Sequence, residues 1–261
     1  MKNTLLISCV IIIFGASSPT LGQRKISSTK QLLKAMKKRY QGKWFNEFTF
    51  VQKTIRYTRE GQPRDTALWY EAVRYPNNFR IDYGHPSKGN AVLFQADTAY
   101  RFQKGKLTGT RFNPQYFLLL KGGLYRRKLK ECLKILKKGG YDIESFHTNT
   151  YQGRPVYVIG ALKGDLKKPQ FWIDQQHFYV IRRTQKINPA RQGPDKGKER
   201  ILDVQYQNHK ATGGGWVEQI VRFEVNGRLV QIEEYTDIDT SPKIPKNFFN
   251  PDHFGKSHWY K

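Results

Sequence analysis

Apolar and polar residues alternate along this chain with two different periods. Ser27, Ser28 and Thr29 are capping-type residues, and Leu32, Leu33, Met36 and Tyr40 follow at helical spacing with lysines on the other face, which predicts an amphipathic first helix over residues 27–40. From Phe48 the period drops to two: Phe48, Phe50, Gln52 and Thr54 alternate with Thr49, Val51, Lys53, Ile55 and Tyr57 until Gly61 and Pro63 break the run. The same alternation predicts strands over 68–75, 79–83, 91–95 and 99–107, with Lys104-Gly105 as a hairpin turn in the last. The middle differs: an apolar patch at 113–120 precedes a helix over 125–138, stopped by Gly139-Gly140.

Strands then resume at 143–150, 154–162, 171–174, 179–187, 201–209, 216–225 and 229–238. They are punctuated by Gln152-Gly153, Gly164, Gln175-Gln176, Gly213 to Gly215 and Asn226-Gly227, the last being the strongest hairpin signal. Residues 188–200 are too polar to pack and read as a mobile loop between strands. No linker and no fixed-period repeat divides the chain, so one mostly β (α+β) domain is expected. This many antiparallel strands need covered edges, and a strongly curved sheet plugged on its concave face by two or three helices supplies that. Such a concave apolar face under a helical cover can also hold a lipid tail.

The N-terminus sets the compartment. Lys2 precedes an apolar run from Leu5 to Ala16, followed by Ser17, Ser18, Pro19, Thr20 and Gly22, which is the anatomy of a cleaved secretory signal peptide. The run is shorter than the roughly 20 apolar residues of a membrane span. Cleavage after Gly22 gives residues 1–22 as the signal peptide and 23–261 as the mature domain, exported to the periplasm of a Gram-negative-type envelope. Leu6-Ile7-Ser8-Cys9 is a rival lipobox that would anchor the protein through Cys9, but its apolar stretch continues beyond the cysteine to Phe14. Removing the peptide leaves Cys132 as a lone thiol, on the apolar stripe Leu129, Cys132, Leu133, Leu136 of the second helix, where a buried structural role is expected.

Composition adds a strong charge, with 46 Lys and Arg against 21 Asp and Glu for a formal net charge of +25. Basic residues interleaved with aromatics, as in Tyr125-Arg126-Arg127-Lys128, would suit nucleic acid, but export makes that partner scarce. Anionic lipid headgroups and acidic glycans are the polyanions of an envelope. Catalytic signatures are lacking: there is no G-x-S-x-G, no H-E-x-x-H and no Walker-type loop. His253 and His258 near Asp252 match no metal-ligand spacing, Glu233-Glu234 and Asp237-Asp239 read as solvated charges near a strand end, and Gly213-Gly214-Gly215 reads as a hairpin connection. No cofactor, no metal and no catalytic residue is expected.

The stretch from Trp69 through Tyr75-Pro76-Asn77-Asn78-Phe79-Arg80-Ile81-Asp82-Tyr83 to Pro86 resembles the signature of the periplasmic outer-membrane lipoprotein carrier (LolA-like) family. Phe50-Val51-Gln52 resembles that family's earlier F-x-Q strand. Phe171-Trp172-Ile173-Asp174 with Tyr179 to Arg183 is similar to its second such hairpin, and Ile238 to Phe249, with Ile244-Pro245 before Phe248, to its closing strand and tail. The order of elements matches over most of residues 27–250, although this chain is longer, more basic, and has Asp97 where a glycine-centred turn is usual. The resemblance implies an incomplete β-barrel lined with apolar side chains and closed by helices acting as a lid over acyl chains. It points to a carrier without covalent chemistry that binds lipid or lipoprotein acyl chains, with envelope proteins as partners for loading and release. Trp69, Phe79, Ile81, Phe94, Phe102 and Trp172 are the candidate lipid-binding residues, with plain core packing the commoner role for each taken singly, while Arg80 and Asp82 face the other way and are assigned to the sheet itself. An envelope sensor or interaction module with a collapsed core is the alternative, and an enzyme acting on an envelope polyanion a third.

Overall fold

The computed structural model describes residues 26–190 and 195–255. The segment expected to be a signal peptide, with Cys9, and His258 lie outside the described residues, as does part of the segment 188–200 expected to be a loop. Helix α1 spans Thr29–Tyr40; Ser28 Oγ accepts the Gln31 N–H, and Gln31 Oε1 accepts the Ser27 N–H, so two otherwise orphaned donors at this end are satisfied reciprocally. Leu32, Leu33 and Met36 are fully buried, and Lys37, Lys38 and Arg39 sit at the negative end of the helix dipole.

Among the described residues, thirteen strands form one sheet. In chain order the first six are β1 (Glu47–Tyr57), β2 (Pro63–Arg74), β3 (Asn78–Tyr83), β4 (Ala91–Gln95), β5 (Thr98–Gln103) and β6 (Lys106–Phe112). After helices α2 (Leu118–Lys121) and α3 (Leu129–Lys138) come β7 (Asp142–Tyr151), β8 (Arg154–Gly160), β9 (Gln170–Asp174), β10 (Val180–Ile187), β11 (Arg200–Gln207), β12 (Lys210–Thr212), β13 (Gly215–Val217), β14 (Ile220–Val225) and β15 (Arg228–Asp239). The order across the large sheet is β6-β5-β4-β3-β2-β1-β15-β14-β11-β10-β9-β8-β7, antiparallel throughout, and β12 pairs with β13 as a separate ribbon. Two meanders therefore meet where β1 pairs with β15. The outer strands β6 and β7 remain unpaired with each other, so the curved sheet is an incomplete barrel, and the segment joining those two edges carries α2 and α3 across its inner face.

Turn chemistry fixes the register. Lys104-Gly105, Gln152-Gly153 and Asn226-Gly227 all have positive φ at both central positions (47° and 77°, 50° and 75°, 52° and 76°), the backbone that two-residue hairpins require. Leu32, Leu33 and Met36 of α1 and Cys132 and Leu136 of α3 pack with Phe171, Ile173 and Ile159 over the second half of the sheet. Cys132 is fully buried there, and burial pushes its thiol pKa up. On the outer face the C-terminal tail crosses the first half: Ile244, Phe248 and Phe249 cluster with Ala72, while Arg74 donates to the carbonyls of Ile244, Pro245 and Lys246.

Two expected elements come out differently. The strand expected over 216–225 is broken into β13 and β14, because the chain leaves the extended pairing at Glu218, which turns inward to ion-pair with Lys121. The helix expected from Tyr125 begins only at Leu129: Tyr125 belongs to a separate 3₁₀ turn over Gly123–Arg126, and Lys128 is extended.

Candidate functional site

Period two determines what the inner face carries. Phe48, Phe50 and Gln52 of β1, Trp69, Glu71 and Val73 of β2, Phe79 and Ile81 of β3, and Phe94 of β4 are alternate residues that the register aligns on one face. With Val221 and Phe223 of β14 and Glu233 and Tyr235 of β15 they line a cavity of about 280 Å³. Gln115, Phe117, Leu118 and Lys121 roof it, so the short α2 and the segment before it form the cover. The roof is tied to the sheet by the Tyr75 hydroxyl, which donates to the Lys121 carbonyl at 2.8 Å.

The apolar part of the lining is aromatic. Phe48 stacks on Phe50 with centroids 5.2 Å apart, Phe79 stacks on Phe94 at 5.6 Å, and Phe117 meets Phe79 edge-on at 6.4 Å. Trp69, Ile81, Phe117 and Phe223 are half-buried and form the rim, and Phe48, Phe50, Val73, Phe79 and Phe94 are buried beneath them.

Four of the six candidate residues, Trp69, Phe79, Ile81 and Phe94, are brought together here. Phe102 and Trp172 are not. Phe102 sits in the cross-strand row Phe102, Ala91, Asp82, Tyr70 on the outer face, stacked at 3.8 Å on Phe254 of the tail. Trp172 alternates with the inward-facing Phe171 and Ile173, so it lies on the outer face too, packed with Val156, Val158, Tyr179 and Ile181 under the Arg182 guanidinium. Both belong to the scaffold. Arg80 and Asp82 lie on the outer face, opposite Ile81, as expected: Arg80 makes two 2.9 Å bonds to the Asp82 carboxylate and is sandwiched by Phe248 and Phe254.

The cavity lining also carries polar residues that the sequence reading missed. Glu233, read from its place near a strand end as solvated, is only 8% exposed; Gln231 and the Tyr235 hydroxyl donate to its two oxygens at 2.7 and 2.9 Å. Its neighbour Glu234 is the solvated one, paired with Lys53 on the other face. Burial pushes the Glu233 carboxyl up to about 7, against the hydrogen bonds that favour its ionised form. Glu71 is 3% exposed, and burial, then the Glu233 charge, raises it well above the usual carboxylate range. Glu218 pairs with Lys121, whose ammonium also lies 4.4 Å from the centre of the Tyr206 ring; burial lowers the Lys121 pKa, opposed by Glu218.

Cys132 belongs to the packed layer of α3, and among the described residues no three His, Cys, Asp or Glu side chains converge as a metal site requires. Aromatic walls over a few polar groups are the usual make-up of a small-molecule or lipid-tail pocket.

No family model matches the chain, and no curated protein sequence matches it significantly. Solved structures do. A LolA superfamily protein from Nitrosomonas europaea superposes with a TM-score of 0.53 at 12% identity, over 87% of this chain and 100% of that one. A domain assigned to outer membrane lipoprotein sorting from Vibrio parahaemolyticus gives 0.53 at 13% identity, covering 86% and 97%. A DUF1329 family protein from Desulfovibrio piger gives 0.53 at 11% identity, covering 87% and 97%. The open antiparallel sheet with helices on its inner face is thus the LolA-like fold.

Proposed function

We propose that this protein is a non-enzymatic carrier that holds acyl chains of lipids or lipoproteins in the cavity between β1–β4, β14, β15 and α2, and that it works in the periplasm after residues 1–22 are removed. The observation that carries this reading is a preformed, aromatic-walled cavity roofed by a four-residue helix and the segment before it. Each methylene moved from water into such walls contributes about 0.8 kcal/mol, enough over several methylenes to hold a chain that water would not. The Vibrio neighbour, assigned to lipoprotein sorting, supports the substrate class. Loading and release require the roof to move away from the Tyr75 anchor, and partner proteins of the envelope would supply or accept the cargo.

Purification from an envelope without detergent, followed by lipid extraction and mass spectrometry, tests this. Lipid or lipopeptide near one per protein in the wild type, and its loss in Trp69→Asp, is expected. A folded protein that is empty in both forms would overturn the carrier reading and favour an interaction module.

A further inference from the structure

The chain carries only 21 acidic residues against 46 basic ones, yet three of them, Glu71, Glu218 and Glu233, line one cavity of about 280 Å³. Glu218 is neutralised by Lys121, and Glu233 is held by Gln231 and Tyr235. Glu71 differs. It is 97% buried by its 3% exposure, it lines the cavity, and no hydrogen bond or ion pair to its carboxyl exists among the described residues. A buried polar group without a partner is costly, and one aimed into a cavity is satisfied by whatever fills that cavity.

Glu71 and Glu233 stand on β2 and β15, the two neighbours of β1, and both face the cavity, with Gln52 of β1 on the same face between these strands. Both line the same cavity, and the Glu233 charge disfavours ionisation of Glu71. A compact cation bound beside Glu71 would relieve that repulsion and supply the missing partner. The remaining cationic side chain of the lining, Arg183, is engaged by Tyr206 and Tyr141 and lies 5.9 Å from the centre of the Phe117 ring.

Resting on the acyl-chain reading above, we propose that the cavity selects amphiphiles bearing a compact cationic group, a primary ammonium next to the chain, received by Glu71 and Glu233 while the chain lies along the Phe48, Phe79 and Phe94 walls. The interior thereby selects for the charge opposite to that favoured by the protein's basic exterior. A metal ion is the poorer occupant, because the three carboxyls do not converge as a ligand set.

The test uses the full mature chain at pH 7.5 and three probes of equal length: dodecylamine, dodecanol and dodecanoate, titrated against wild type, Glu71→Gln and Glu233→Gln. The expected result is that the amine binds at least tenfold more tightly than the alcohol, dodecanoate more weakly than either, and that Glu71→Gln brings the amine-to-alcohol ratio close to one. Equal binding of amine and alcohol, or a preference that survives in both variants, would overturn the inference and leave the acyl-chain reading standing. Failure of all three probes to bind the folded wild type would overturn both.

Discussion

At the scale of single residues, the side chains that build the sheet are distinct from those that face the cavity. Trp69 is a half-buried rim residue, so Trp69→Asp should leave a folded protein that no longer takes up alkyl chains, as read by binding titration alongside an unfolding curve. Phe102 is 4% exposed and stacked on Phe254, so Phe102→Ala should do the reverse: it should cost about 3–5 kcal/mol of stability while the folded protein binds chains as before. Glu233 makes a prediction in pH. Its carboxyl lies at about 7 in the folded protein against an ordinary 4.5, so the folded state holds the proton more tightly than the unfolded chain between those values. This group's contribution therefore falls as pH rises through that window, by at most about 3 kcal/mol. Glu233→Gln should be more stable than wild type at pH 8 and close to it at pH 4, measured by urea midpoints; an unchanged difference between the two pH values would contradict the buried placement.

At the scale of elements, the roof is the vulnerable part. Gly122 follows α2 directly, and a Cβ there would lie 2.5 Å from Tyr75 Cζ and 2.9 Å from Trp44 Nε1. Gly122→Ala should therefore push the roof off its Tyr75 anchor, costing about 1–3 kcal/mol and weakening chain binding beyond that loss, with calorimetry reading the first and titration the second. The elements themselves were largely legible in the sequence. Period two placed Trp69, Phe79 and Ile81 on one face, and glycine turns such as Asn226-Gly227 marked the hairpins. The inward parity of each later strand was not legible, because Phe171, Trp172 and Ile173 are all bulky and apolar and only the register decides which one faces out. Glu233 escaped for a related reason: a charge near a strand end carries no mark of what will cover it, and here Tyr235 and the roof do.

At the scale of the whole molecule, a chain of net charge +25 encloses a largely aromatic cavity whose lining includes three glutamates. The exterior charge should draw the protein to vesicles containing anionic lipid and not to neutral ones, and this attraction should be lost in cosedimentation between about 0.1 and 1 M salt, as the screening length falls from about 10 to 3 Å. Chain binding in the cavity, driven by burial, should survive the same salt. The most direct test of the central claim is a chain-length series, titrating n-alkanols of increasing length against the detergent-free protein. The account predicts that each added methylene tightens binding by about 0.8 kcal/mol, roughly fourfold, until the cavity is full and the gain stops, with the whole series abolished in Trp69→Asp. Affinity that does not grow with chain length, or that grows identically in Trp69→Asp, would contradict it.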